Sequence, residues 1–399
     1  MRQAVVFASA VMSTAAWAQT SVTLYGIVDN GIGYQNNAAT VGATSGGAAL
    51  TKMNQGVWAG SRFGLKGSED LGGGMKAVFT LESGFNSATG ATQYTNAMFG
   101  RQAWVGVTHN TYGTLTAGRQ YASYYQTMSA FSPTTWVTGY YGAHPGDVDG
   151  LDTIYRANNT LEYTSARWYG LQASGSYSFG GVAGSTNAGS TWATGLQYVN
   201  GPIGAGVAFE RIQNANTAGG AWGANSTTSN GGAEIGVSAL TNGYQTARAQ
   251  QRLAVGMSYK FTPDWDVSAT YTNTQYIPGT ASSFRDTAIF NTAGAVLHWH
   301  ASVALDFGAG YAYTQASKAN GIGDSARYHQ FNLSQYYALS KRTGVYLLEA
   351  YQHAKGQTLG SSGAGNIIAA TASLGDGMNT TPSSNGNQLA VGAGIIHRF

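Results

Sequence analysis

The sequence predicts an all-β protein, a transmembrane 16-stranded antiparallel β-barrel with one long loop folded inward, on three observations. Apolar residues recur at every second position, short and long connections alternate along the chain, and charge is too scarce to coat a soluble sheet protein. Charged residues make up 9% of 399, against roughly 25% in an ordinary globular chain, and glycine takes 57 positions. Aromatics reach 12%, a density that argues against disorder. Cysteine is absent, which excludes disulfides, thiolate metal centres and a thiol nucleophile. The net charge of +3 is spread without a basic run, so no nucleic-acid partner is expected.

Residues 1–18 read as a signal peptide: Arg2 is the positive start, Ala4 to Met12 the apolar stretch, and Ala16-Trp17-Ala18 the small-residue cleavage site. The mature chain, 19–399, then begins at Gln19 and holds no apolar run of spanning-helix length. Sixteen strand segments follow, starting near residues 20, 56, 75, 97, 113, 155, 169, 191, 203, 249, 265, 288, 302, 326, 344 and 387. The clearest run from Leu253 to Phe261, with Leu253, Val255, Met257, Tyr259 and Phe261 on one face and Ala254, Gly256, Ser258 and Lys260 on the other. Met75, Ala77, Phe79 and Leu81 alternate in the same way, as do Trp265, Val267, Ala269 and Tyr271, and the residues from Val303 to Tyr313. Short connections are expected at Asp70–Gly74, Asn110–Tyr112, Asn200–Pro202, Thr262–Asp264 and Leu339–Thr343. Long ones are expected at Gln35–Gln55, Ala122–Ile154, Asn214–Arg248 and Gly356–Gly386. Tight turns at one rim and long loops at the other are the pattern of an antiparallel barrel.

The apolar faces have to meet lipid, because this chain has too few charges to cover a water-facing exterior. Aromatics gather at strand ends, at Trp168-Tyr169, Tyr177 to Phe179, Trp192, Tyr198, Trp265 and Trp299, as interfacial girdles would require. A barrel of this strand number is too wide for side chains to fill, so its bore holds water.

Four arginines fall at one level when counted from the short turns. Arg62 lies 8 residues before the turn at Asp70, Arg101 lies 9 before Asn110, Arg119 lies 7 after Tyr112, and Arg156 lies about 10 before a turn near Ala166. At roughly 2.3 to 2.5 Å of height per residue of tilted strand, the group stands on the order of 20 Å above the short-turn rim. Such a ladder attracts anions. The loop at 122–154 carries Tyr124, Tyr125, Phe131, Trp136, Tyr140 and Tyr141, too apolar to stand in water, and then Asp147, Asp149 and Asp152. Folded inward, it buries the aromatics and sets carboxylates opposite the arginines across a constriction.

Catalytic and metal chemistry find little support. Of the seven histidines, His298 and His300 share a face around Trp299, but the spacing supplies no third ligand, so a rim position is the reading and no metal or other cofactor is assigned. No nucleophile elbow or phosphate loop occurs between a strand and a helix.

The segments Ser21–Asp29 (SVTLYGIVD), Ser61–Leu71 (SRFGLKGSEDL) with Gly72–Gly74, Phe99–Val107 (FGRQAWVGV), Tyr112–Tyr121 (YGTLTAGRQY) and the terminal His397-Arg398-Phe399 resemble the general trimeric porins of Gram-negative outer membranes, in particular their betaproteobacterial branch. The resemblance spans the mature chain. It implies a homotrimer in the outer-membrane bilayer, a third external loop folded into the pore, and passive diffusion of ions and small hydrophilic solutes. By the family's wall cluster, Arg62, Arg101 and Arg156 look like the basic side of the eyelet, with Arg119 nearby. The usual acidic tip motif of the inward loop is not present as such, so Asp147, Asp149 and Asp152 are carried over as candidates. Phe399 resembles the terminal signal read by the outer-membrane barrel assembly machinery. The function expected is therefore a general diffusion porin of weak anion preference. The alternatives are a channel with a site for a dicarboxylate or phosphate, and a plugged adhesin or receptor barrel.

Overall fold

Through Thr270, Thr272 and Thr274 the hydroxyl side chains are buried, while the intervening Tyr271 is 46% exposed. The same inversion of ordinary burial recurs at Val207 beside Ala208 and at Leu253 beside Ala254, and it marks a sheet whose outer face is made for hydrocarbon. A computed structural model describes residues 21–94, 96–152, 155–222, 237–375 and 380–399. The expected signal peptide, its cleavage point before Gln19, and residues 153–154 of the long loop lie outside these.

Strand β1 runs Ser21–Ala38 and β2 comes in two parts, Ala48–Gln55 and Arg62–Gly72. Then follow β3 (Met75–Gly84), β4 (Gln102–His109), β5 (Gly113–Gln120), β6 (Ala157–Thr164), β7 (Leu171–Ser178) and β8 (Thr191–Asn200). The second half holds β9 (Ile203–Gln213), β10 (Ala249–Lys260), β11 (Trp265–Ile277), β12 (Ala288–His300), β13 (Leu305–Ala316), β14 (Arg327–Ala338), β15 (Thr343–Lys355) and β16 (Asn387–Arg398). Every strand pairs antiparallel with its neighbour in the chain, and β16 returns to β1 through Ile27 opposite Arg398 and Gln35 opposite Ala390. The barrel closes at 16 strands, which removes sheet edges that hydrocarbon does not tolerate. A small hairpin, Gln357–Leu359 with Ile367–Ala369, decorates the last long loop.

The second strand differs from the alternation-based expectation. Residues 48–55 were expected in a loop, yet they pair with β1, Tyr34 opposite Thr51 and Asn30 opposite Gln55. Their sequence, AALTKMNQ, puts Leu50 and Met53 on opposite faces among Lys52, Asn54 and Gln55, so the apolar period is lost while the hydrogen-bond ladder remains. Between the two parts the chain turns at Gly56 (φ 65°), and the Asp29 carboxylate collects the freed backbone donors: its Oδ2 accepts from the N–H of Trp58 at 2.8 Å and of Ala59 at 2.7 Å. Tyr346 donates to Oδ1 at 2.6 Å. A break of this kind is stable because its buried N–H groups are satisfied.

After β5 the chain forms a short helix, α1 (Ser123–Met128), and a series of tight 3-10 turns to Asp147. Its contacts are with the strand faces opposite the exposed apolar ones. Gln197 donates to the Thr127 carbonyl at 2.9 Å, Ser268 to the Phe131 carbonyl at 2.9 Å, and Gln330 to the Ala143 carbonyl at 2.6 Å. Asn54 donates to the Tyr141 hydroxyl at 2.7 Å. Phe131 lies over Gly206 and Gly256, where an added Cβ would stand 2.6 and 2.7 Å from its side chain; only glycine leaves that notch in the wall.

Candidate functional site

The ladder register sets the four arginines in neighbouring rows. Arg62 is opposite Gly84, Glu82 is opposite Gln102 with Arg101 just before it, Ala103 is opposite Arg119, and Gln120 is opposite Ala157 with Arg156 just before it. Arg101 and Arg156 thus sit at the strand ends, one residue outside β4 and β6, where their side chains meet loop residues as well as the wall.

Arg101 is buried and pairs with Glu82, Nε to Oε1 at 2.7 Å, while Tyr25 donates to the other Glu82 oxygen at 3.0 Å. Its Nη1 reaches Gln93 at 3.2 Å and its Nη2 the Tyr121 hydroxyl at 3.1 Å. Arg156 donates to the Tyr94 hydroxyl at 2.6 Å and to the Tyr121 hydroxyl at 2.5 Å, with its guanidinium 4.4 Å from the Tyr121 ring centre. Arg119 donates to the Gly100 carbonyl at 2.7 Å and to Asn158 at 2.5 Å, and lies 5.5 Å from the Tyr94 ring centre. Neutral hydroxyls, carbonyls and aromatic faces hold guanidinium groups without cancelling their charge. Among the described residues, Glu82 is a carboxylate in direct contact with this group.

Arg62, Arg101 and Arg156 share a cavity of about 320 Å³ with Asp152, Tyr121 and Tyr140. Asp152 is therefore the candidate acid that the structure brings to the arginines. Asp147 accepts the Asp152 N–H at 3.0 Å within the loop. Asp149 lies at the far wall, where it accepts from His144 Nδ1 at 2.6 Å, from Thr272 at 2.8 Å and from the Leu151 N–H at 3.3 Å. Burial alone would push the Asp149 carboxyl up, but the His144 ring together with these hydrogen bonds outweighs it and holds the group below the usual carboxylate range. A further cavity of about 510 Å³, lined by Gln102, Trp104, Gln120 and Glu162, adjoins the first through Tyr121 and Tyr125.

Sequence reasoning missed Glu82, Tyr94 and Tyr121 as partners of the arginines, and a second buried pair, Arg252 to Glu210 at 3.2 Å. Glu210 and Arg252 face each other across β9 and β10, but a long loop separates those strands in sequence, so only the register reveals the pair. Phe399 closes the barrel seam: it exchanges backbone hydrogen bonds of 3.0 Å with Gly26, and its ring lies where any side chain at residue 26 would collide.

A closed barrel with a lipid-type exterior and a polar, arginine-lined interior is a membrane-spanning β-barrel of the channel-forming class. A family model described as Gram-negative porin matches residues 4–357, and the chain belongs to that family. It is 36% identical over 225 residues to an outer membrane porin protein of Bordetella pertussis, covering 51% of this chain and 57% of that protein. It is 31% identical over 222 residues to outer membrane porin protein 32 of Delftia acidovorans, with the same coverage of 51% and 57%. The matched stretch thus spans little more than half of these relatives' length. Among solved structures, an anion-selective porin from Comamonas acidovorans superposes with a TM-score of 0.68 at 23% identity, over 96% of this chain and 100% of that one. OmpF of Salmonella typhi, in complex with daunomycin, superposes with a TM-score of 0.58 at 17% identity, over 95% and 97%. These likenesses are in fold. The chain is an outer-membrane, multi-pass β-barrel.

Proposed function

We propose that the protein is a general diffusion porin, passing ions and small hydrophilic solutes down their gradients through a water-filled bore with a weak preference for anions. The observation that carries this reading is the shared cavity of Arg62, Arg101 and Arg156, in which Arg156 is held by the hydroxyls of Tyr94 and Tyr121. Glu82 offsets Arg101, and Asp152 lines the same space, so the four arginines of the wall leave an excess of positive charge. The segment 122–154 is the constriction loop in this reading; the bonds of its described residues to β8, β11 and β14 support that role. The anion-selective porin of similar fold is consistent with the preference.

Single-channel recording in planar bilayers tests the reading, using a potassium chloride gradient and a graded series of sugars. Stepwise conductance that falls as small sugars enter, with a reversal potential of anion-selective sign that shrinks at high salt, is the expected result. Saturable block by one small anion would point instead to a solute-specific channel, and absence of conductance to a plugged receptor barrel.

The same reading includes a homotrimer and delivery by the barrel assembly machinery, with Phe399 as the terminal signal. Deleting Phe399 removes the pair of hydrogen bonds to Gly26 and the ring over it. The yield of folded trimer in the outer membrane is expected to drop severalfold, while channels that do insert keep native conductance. A normal yield counts against the role.

A further inference from the structure

At the short-turn rim, His298 and His300 near the end of β12 are joined by a carboxylate from each flanking strand. Asp266, on β11, is directly opposite His298, and Asp306, on β13, is directly opposite His300. On the other face Trp265, Trp299 and Phe307 stack with ring centres 5.3 and 5.4 Å apart, which turns the histidines and aspartates away from the lipid side. The Asp266 carboxylate takes His298 Nδ1 at 3.0 Å, and the Asp306 carboxylate takes His300 Nδ1 at 2.5 Å. One donor atom from each of Asp266, His298 and His300 lies within 4.8 Å of the others.

His298 is left with a buried Nε2 that makes no hydrogen bond and points at Asp306 Oδ1, 3.4 Å away. The other ring nitrogen, Nδ1, is taken by Asp266. Nε2 is thus a buried ring nitrogen facing a carboxylate oxygen without a hydrogen bond, in a side chain that is 10% exposed. A cation between the two atoms would satisfy both. Donors bonded at about 2.0–2.2 Å to a tetrahedral ion stand roughly 3.4 Å apart.

We propose that His298, His300 and Asp306 form a binding site for a divalent transition-metal ion of the zinc class, with Asp266 as the positioning residue that holds the His298 ring. Two imidazoles and a carboxylate suit zinc, and leave its fourth position to water from the bore. Hard ions such as magnesium favour all-oxygen sites and are not expected to compete. On binding, the proton between His300 Nδ1 and Asp306 leaves for the buffer, and the two atoms, 2.5 Å apart, separate by about 0.9 Å to admit the ion.

The test uses the full folded chain in detergent, stripped with chelator and titrated with zinc chloride by calorimetry and with cobalt chloride by visible absorption. One ion per chain and the intense cobalt band of a tetrahedral site are the expected results. His298→Gln is expected to weaken zinc binding at least tenfold, and Asp266→Asn, acting through the ring, by about tenfold. Substituting His109 and His353 should change neither. A native chain with no cobalt band, or zinc affinity unaltered in a folded His298→Gln/His300→Gln variant, overturns the site. Should the histidine variants fail to give heat-resistant barrels, Asp306→Asn decides by the same measurements.

Discussion

A chain carrying Arg62→Gln, Arg119→Gln and Arg156→Gln is expected to reverse its selectivity from anions to cations. These three changes spare Arg101 and its contact with Glu82, so the wall keeps its buried ion pair. Asp152 is then left in the shared cavity without an excess of arginine. At roughly 8 Å in a watery bore one unit charge acts on a passing ion with about 0.5 kcal/mol. Three together amount to about tenfold for each ion, in opposite senses, and so to about a hundredfold in the anion-to-cation permeability ratio. The reversal potential in a low-salt gradient should change sign, and the difference from the native channel should shrink as salt is raised. Unchanged reversal potential would mean that ions are selected elsewhere in the bore.

Arg101→Ala is expected to act on stability instead. Arg101 and Glu82 are both almost wholly buried, with side chains 3% and 6% exposed, and removing the cation leaves the carboxylate with the Tyr25 hydroxyl. Breaking a buried pair from one side costs about 3–5 kcal/mol, most of it the penalty of the stranded charge. The double change Arg101→Gln/Glu82→Gln strands no charge, and should recover more than half of the loss. Urea unfolding of the barrel in lipid vesicles measures both. A single variant as stable as the native chain, or a double variant no better than the single, would show that the pair carries no such weight.

Much of the barrel is legible in sequence because alternation is a local property. Tyr271 between Thr270 and Thr272 declares its face without reference to any other strand. The level of the arginines is legible for a related reason, since counting residues from a tight turn measures height along a strand. The method fails at residues 48–61, where a break in β2 is held by Asp29, a residue on another strand. It also fails for the acids: Asp147, Asp149 and Asp152 stand within six residues, yet Asp152 lines the arginine cavity while Asp149 bonds to Thr272 on the far wall. A loop of successive tight turns has no period, so its sequence does not say where each side chain ends.

The rim cluster makes the same point from the other direction. His298 and His300 are visibly on one face, but their carboxylate partners lie 32 residues before and 6 after, on strands whose register brings them level. Residue order by itself determined an inside-out β-barrel with tight turns at one rim, long loops at the other and a tier of arginines on one wall. Tertiary structure alone decided which charges meet. The face a strand residue takes depends on its immediate neighbours, whereas a pair of charges depends on the registers of all the strands between them and on how a turn-rich loop packs.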